Sequence, residues 1–577
     1  MVPSGTLHLS PVDLVLPSFL LLSVPISSSY ISLRIPIIER FTIVTEVTDG
    51  TFTMNFGEVI SVIQTNVLNH TYISLISLLP LSLLLYIIIN EFIRASVRIP
   101  GFDGPRGYPL VGNIPQIRYN ASEKYRNWAK KFGPIFQIQL GNIPVLVLNS
   151  SAAAQKVLVA NSQATISRPM FYTFHKVVST TAGFTIGTSP FDESLKRRRK
   201  AAATALNKSA VQTYTPHIDL ETKEFIRDAF EIGRKGQLAI DPLPLIQHLS
   251  LNLSLTLNWG TRIDSVHDPL FEEITEVEEY VSRFRSTTGN KQDYIPLLRL
   301  NPFSGQSALA KNMRARRDVY LTRMNRELDE RIANKTYKPC IQANVLLDPE
   351  AKLNATELMS ISLTMVSGGL DTITTLVAWA LALLAQRPDI QKKAYAAIRE
   401  YFTEQEVLCD PLDDQKCAYM VALVRELLRM YTPLRLALPR AAERDFYVDG
   451  KLVPKGTAIF LNSWACNMDN DLWPDPEEFR PERFLEKSSA PIFTFGQGSR
   501  MCAGYMLGSR ELYLLFMRII SGFEIIEHEA VDTDPLTGLS DPTSLVSTPN
   551  RYKIIFRPRQ TDTLEKALKN HVPVTAD

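Results

Sequence analysis

Phe493-Thr494-Phe495-Gly496-Gln497-Gly498-Ser499-Arg500-Met501-Cys502-Ala503-Gly504 is a glycine-rich loop that ends in a cysteine just ahead of an apolar helical run, Tyr505 to Ile520. Glycines at 496, 498 and 504 allow turns and close approaches that a Cβ would block. A thiol placed before a helix N-terminus, with Arg500 two residues away, is favoured as the anion, so the loop can present a thiolate to a metal. The plainer use of such a residue is a buried structural cysteine in a turn.

Upstream, Val421-Ala422-Leu423-Val424-Arg425-Glu426-Leu427-Leu428-Arg429 has a helical pattern with Glu426 and Arg429 one turn apart on one face. Alone, that is an ordinary ion pair. Between that helix and the loop, Phe479-Arg480-Pro481-Glu482-Arg483-Phe484 supplies another arginine. Further back, Ser367-Gly368-Gly369-Leu370-Asp371-Thr372-Ile373-Thr374-Thr375 lies inside an apolar helical run that begins after Asn354 and ends near Arg387-Pro388, a rod of roughly 50 Å. Gly368, Asp371, Thr372 and Thr375 fall at i, i+3, i+4 and i+7, so small and polar groups share one stripe of a greasy helix. A glycine kink with satisfied hydroxyls is the bland account of that stripe.

The whole chain has 577 residues, 45% of them hydrophobic and 21% charged, which fits a large globular core and neither disorder nor a many-span membrane protein. Lys+Arg 62 against Asp+Glu 60 leaves +2, so no overall basic excess points to nucleic acid as a partner. Cys340, Cys409, Cys417, Cys466 and Cys502 are odd in number and show neither CxxC nor zinc-type spacing, which argues against a disulfide framework and for a reducing compartment.

Tyr72 to Ile89 carries no charge and nearly crosses an apolar layer of about 30 Å. The segment 71–93 reads as one transmembrane helix, preceded by an extension, 1–70, whose role stays open. No Lys or Arg occurs between Phe41 and Ile93, whereas Arg94, Arg98 and Arg106 follow, so the remainder should be cytosolic. Residues 94–113 read as a stiff hinge, because Pro100, Pro105 and Pro109 interleaved with glycines forbid a continuing helix. A domain follows over 114–560, with a tail at 561–577. Strands around Phe136 to Leu140 and Val145 to Asn149 form a hairpin, and the helical period dominates from about 190 to 440, which makes the domain mainly α with a minor β part.

Phe495, Gly498, Arg500, Cys502 and Gly504 match Phe-x-x-Gly-x-Arg-x-Cys-x-Gly, and the chain resembles the cytochrome P450 superfamily from about Pro100 to Arg557. That resemblance implies a single large domain with a long central helix over a haem b, and Cys502 as the axial iron ligand. Phe495, Gly496, Gly498, Arg500 and Gly504 are then cofactor-binding, with Arg440 and Arg199 at the haem propionates. Asp371 and Thr372 are implied as the catalytic proton relay, and Gly368 as the gap beside bound dioxygen and substrate. Glu426, Arg429 and Arg483 are implied as the structural network under the haem loop. Two departures stand out: Ile373 where a second hydroxyl is common, and Leu195 in place of the Trp of Trp-x-x-x-Arg, which keeps Arg199 alone.

Finer likeness is to the fungal phenylacetate hydroxylases, carried by the run Ile186 to Ala203 and by Ser367 to Thr375. It implies O2, NADPH-derived electrons through a flavoprotein reductase, an endoplasmic reticulum membrane anchor, and ring hydroxylation of phenylacetate or a related aromatic. Oxidation of a secondary metabolite and a non-oxygenating rearrangement or sensor role are the alternatives. The basic run Lys196 to Lys200 reads either as a solvated helix face or as the reductase docking patch. For an aryl carboxylate a buried cation is needed, with Arg435 the candidate, while Phe174 and its neighbours Phe171, Tyr172 and His175 wall the ring.

Overall fold

Asn354 starts the helix around which everything else is arranged. Its side chain accepts from the Glu357 backbone N–H at 2.9 Å, and Glu357 returns a carboxylate oxygen to the Asn354 N–H at 3.1 Å, so two orphan donors are satisfied at once. The computed structural model describes residues 80–569 apart from 182, 302–304 and 348–352. In it this helix, α8, runs Ala355–Gln386 and stops where Pro388 forbids the helical conformation before it. Ahead of it in the chain come α1 (80–96), α2 (Ala121–Phe132), α3 (Glu193–Ala205), α4 (Thr215–Ile232), α5 (Leu243–Trp259), α6 (Pro269–Phe284) and α7 (Gly305–Ala333). After it come α9 (Ala418–Met430), α10 (Tyr505–Gly522) and α11 (Thr561–Lys569).

The second half of α8, from Ile373 to Leu384, is buried in the main core with Leu427, Trp464, Leu515, Phe516 and Phe556. Among the described residues α8 is the one helix long and apolar enough to cross a membrane, yet most of it is covered by protein. It is a core helix. Close packing against α5 explains one of its two glycines: a Cβ on Gly369 would sit 2.5 Å from the Ser254 Oγ, whereas one on Gly368 would meet nothing within 4 Å.

The expected hairpin is present as β1 (Ile135–Leu140) and β2 (Ile143–Leu148), antiparallel with Ile135 opposite Leu148. Strands β3 (Arg440–Ala441) and β6 (Ala458–Leu461) complete a sheet of order β1-β2-β6-β3, and β6 runs parallel to β2. A hairpin of β4 (Phe446–Val448) and β5 (Lys451–Val453), and the pair β7 (Phe523–Glu527) and β8 (Ile554–Pro558), stand apart from it. The mainly helical reading with a minor sheet is thus what the chain forms.

Two boundaries differ from expectation. The Pro/Gly segment 94–113 is no free hinge, because the buried Gln137 amide of β1 donates to the Ile99 and Phe102 carbonyls and accepts from the Ile99 N–H at 3.0 Å, while Asn113 donates its N–H to Gln139 O at 2.6 Å. The tail expected from 561 opens with α11, whose Leu564 and Leu568 are 0% and 7% exposed, so the fold continues to Lys569. Residues 1–70 lie outside the described residues, as does the first part of the expected span. Of that span, residues 80–93 are helical and expose Leu81, Leu84, Leu85, Ile88 and Phe92.

Candidate active site

Gly498 shows why the cysteine loop is built from glycine. Its φ is +67°, and an added Cβ would lie 2.0 Å from the Leu158 carbonyl oxygen. Gly498→Ala is therefore expected to destabilise the protein by about 2 kcal/mol or more, read as a lower thermal midpoint and a smaller bound-haem fraction. The loop closes when Cys502 donates its N–H to Phe495 O at 2.9 Å, and the Phe495 ring meets Tyr505 edge-on at 6.3 Å. Gly496 turns at φ +70° ahead of it.

The Cys502 sulfur is accessible although it lies deep in the fold. Burial pushes its thiol up, while the Gly504 N–H and Arg199 pull it down. Arg199, whose Nη2 donates to Met501 O at 3.4 Å, is the nearby cation, and Arg500 is not. Arg500 turns away to donate to the carbonyls of Ile166, Ile186 and Ser189 at 2.7, 2.9 and 3.0 Å, tying the loop to two other segments. The role expected of Arg500 beside the sulfur thus passes to a residue three hundred positions earlier, because a guanidinium is long enough to choose carbonyls over a sulfur close to it in sequence.

Beside the segment that follows Cys502 runs α8. Met365, one turn before Gly368, joins the apolar cluster of Ala503, Met506 and Leu507, and Ile373 packs toward the first turn of α10, 3.7 Å from where a Cβ on Gly508 would be. Ile373 therefore replaces a hydroxyl at a helix contact, away from the open side. Thr372 Oγ1 donates to Gly368 O at 2.6 Å on that open side. Asp371 does not share it: the Arg285 guanidinium, at the end of α6, holds its carboxylate at 3.0 Å. Burial raises the Asp371 carboxyl to about 6, against the pull of Arg285 and with a further push from Glu278. Thr375 turns inward to Thr548 at 3.2 Å and is 1% exposed, so the four-residue stripe divides.

Glu426, Arg429 and Arg483 form one buried network. Glu426 takes Arg429 Nε and Nη2 at 2.7 and 2.8 Å and Arg483 Nε at 3.0 Å, and accepts the Arg480 N–H at 2.8 Å. Glu426 and Arg429 are 0% exposed, and Arg483 is 2% exposed. The remaining guanidinium donors reach carbonyls of Asn467, Pro474, Pro476 and Glu478, which pins the segment leading into the cysteine loop.

Four guanidiniums converge near the loop. Arg440 on β3 donates to Gln497 O, and Arg168 donates to Pro439 O at 2.7 Å. Burial, Arg199 and Arg440 push Arg500 down to about 9, and burial and Arg199 push Arg440 to about 9. Arg168 is lowered well below its usual range by burial and by Arg500, Arg440 and Arg199 together. Among the described residues no carboxylate pairs with Arg168, Arg440 or Arg500. A buried cation cluster without counter-ions, next to an accessible thiol and a glycine with open space over it, fits a flat dicarboxylate macrocycle such as haem. Arg168 escaped the sequence reading; its only local mark is an arginine before Pro169, where the chain is held extended.

The basic run of α3 is mostly neutralised internally. Lys196 pairs with Glu193 and Arg197 with Glu357, both at 2.5 Å, while Arg198 is 6% exposed and donates to Ser189 and Ser360. Consecutive residues leave a helix about 100° apart, so one run serves several ends. Leu195 is 1% exposed in an apolar cluster with Ile186 and Leu514.

Arg435 is also placed differently from the substrate role expected of it. It donates to Pro535 O, lies 5.5 Å from the Trp464 ring, and is lowered to about 10 by burial. It lines a cavity with Ser122, Thr287 and Val546, whereas Phe174 lines another with Arg168, His175, Arg285 and Leu438. A buried side chain follows the nearest aromatic face and carbonyl, which sequence order does not reveal. Phe171 and His175 line the Phe174 cavity too, and Tyr172 turns aside to stack on Arg299 at 4.5 Å.

The Cytochrome P450 family model matches residues 102–556. A 3-hydroxyphenylacetate 6-hydroxylase of Emericella nidulans is 62% identical over 84% of this chain and 94% of its own length. A phenylacetate 2-hydroxylase of the same organism is 43% identical over 82% and 93%. A zebra fish cytochrome P450 structure with abiraterone superposes with a TM-score of 0.63 at 20% identity, over 76% of this chain and all of that one, which speaks for the fold. With the family model matching most of its length and an aromatic hydroxylase 62% identical to it, this chain belongs to the cytochrome P450 family and is a haem-dependent monooxygenase.

Proposed function

We propose that this protein hydroxylates the aromatic ring of a hydroxyphenylacetate-type acid. The observation that carries the reading is its 62% identity to a 3-hydroxyphenylacetate 6-hydroxylase along 94% of that enzyme. The cavity that joins Phe174 and Leu438 to a buried guanidinium agrees with a small aromatic anion. Haem b held by Cys502 supplies activation of O2, assisted by electron donation from the sulfur, with electrons from NADPH through a flavoprotein reductase. Arg168, Arg199 and Arg440 neutralise the propionates, and Gly368 leaves clearance on the oxygen side. Thr372 carries the proton at its Oγ1, already anchored on Gly368 O, and Asp371 supplies it from the adjacent position. Segment 71–93 tethers the domain to the endoplasmic reticulum membrane from its cytosolic side.

Incubation of the full chain with a reductase, NADPH, 3-hydroxyphenylacetate and isotopically labelled O2 is expected to give a ring-hydroxylated acid bearing one labelled oxygen. Unlabelled product, or none with intact haem, rejects the reading. Thr372→Ala is expected to lower product formation about 10- to 100-fold while O2 and NADPH continue to be consumed and substrate affinity stays the same; Thr372→Ser restores most of the yield. A variant lacking residues 1–93 should leave the membrane fraction.

A further inference from the structure

An aromatic acid buried in this protein needs a cation, and the residue first considered, Arg435, lines a different cavity. Arg168 lines the cavity with Phe174, but its Nη1 is held by the Leu438 and Pro439 carbonyls and it belongs to the cluster suited to the propionates. Arg285 is left. It caps the end of α6, its side chain is 8% exposed, and its guanidinium lies 5.9 Å from the centre of the Phe174 ring. One nitrogen, Nη2, binds Asp371 at 3.0 Å; another, Nε, is buried without a partner. A half-used guanidinium over an aromatic face suits a ring stacked on Phe174 with a carboxylate one methylene away.

Resting on the proposed reading of the substrate as a hydroxyphenylacetate-type acid, we propose that Arg285 recognises the carboxylate of that acid and shares its guanidinium between the substrate and Asp371. The arrangement ties recognition to the proton relay, since the residue that selects the anion also grips the acid beside Thr372. A second carboxylate on Arg285 leaves the three groups with one excess negative charge in a dry site. The charge is relieved when Asp371 takes a proton. Its carboxyl, already raised to about 6, is pushed further by the incoming anion. From α6, Glu278 and Glu279 favour that proton on Asp371 by adding negative charge, while Arg285 and Ser282 oppose it. Glu278 is itself occupied by Ser367 of α8 and Tyr320 of α7 at 2.6 and 2.7 Å. His175, which lines the same cavity, has both ring nitrogens engaged, by the Phe171 N–H at 2.9 Å and by Thr188 O at 3.2 Å, and burial lowers it.

The test uses haem-loaded full-length protein and two probes of equal shape, 3-hydroxyphenylacetate and its neutral amide, titrated by the change in haem absorbance and by calorimetry. Arg285→Gln is expected to weaken the acid about 10- to 100-fold and the amide less than about threefold, with Arg285→Lys in between. In the wild type, calorimetry at pH 7 in buffers of different ionisation heat should show proton uptake with the acid and none with the amide. Affinity for the acid should fall as pH rises above 6. Asp371→Asn should abolish the uptake. Equal weakening of acid and amide in Arg285→Gln, unchanged acid affinity, or wild-type binding of the acid without proton uptake overturns the inference, as does uptake that survives in Asp371→Asn and so belongs to His175. Should Arg285→Gln fail to fold, the wild-type proton measurement decides alone. Wild-type protein that binds neither probe overturns the substrate reading and this inference together; wild type that binds the acid normally while Arg285→Gln does too overturns only the inference.

Discussion

Cys502→Ser is expected to abolish hydroxylation entirely and to erase the thiolate-type absorbance of the reduced protein under carbon monoxide. The effect follows from chemistry that no neighbour replaces. Cys466, in the same apolar cluster as Phe493 at the start of the loop, is itself fully buried with its thiol pushed well up by burial, so it offers no thiolate. The loop geometry does not depend on the sulfur, because its closing bond runs from the Cys502 backbone N–H to Phe495 O. A serine therefore keeps the loop and loses the ligand. The checking measurement is the carbon monoxide difference spectrum beside the thermal midpoint: a retained thiolate band refutes the assignment of Cys502, whatever happens to stability.

The second large effect concerns holding the cofactor. Glu426→Ala leaves the Arg429 and Arg483 guanidiniums buried without their carboxylate, and breaking a buried pair in this way costs about 3 to 5 kcal/mol. The same change frees the Arg480 N–H. Because Arg429 and Arg483 also hold the carbonyls of Pro474, Pro476 and Glu478, the segment leading to Phe493 loses its anchor. The expected result is protein with little haem. Molecules that do retain haem should bind substrate as tightly as wild type, since none of the three residues lines the Phe174 cavity. A full haem complement in Glu426→Ala, or weakened substrate affinity at full haem content, counts against the network's role.

What could be read from the chain beforehand was whatever depends on near neighbours. The helix start after Asn354, its end near Pro388, the β1–β2 hairpin and the turn at Gly498 are each decided within a few residues, and the structure has them close to where the pattern put them. Glu426 with Arg429 was equally local, and only Arg483 needed the family's example. Directions of long side chains were not legible. Arg285 meets Asp371 across 86 positions, Arg168 reaches Pro439 across 271, and Arg500 chose distant carbonyls over the sulfur two residues away. A guanidinium spans enough distance that burial, rather than sequence order, selects its partner. The Pro/Gly segment 94–113 misled for a related reason: composition forbids a helix there but says nothing of the Gln137 amide waiting to hold it.

The manner in which α8 is covered bears on how the protein is made. Trp379 donates its indole N–H to Ser547 O at 2.5 Å, Tyr552 reaches Ala378 O, and β8 with Leu564 of α11 joins the same core. These hydrogen-bond partners follow their α8 residues by 168 and 174 positions. Until they clear the ribosome, a helix long and apolar enough to cross a bilayer lacks part of its cover. Arrival of these later residues, rather than synthesis of α8 itself, is the event that commits this helix to the protein interior.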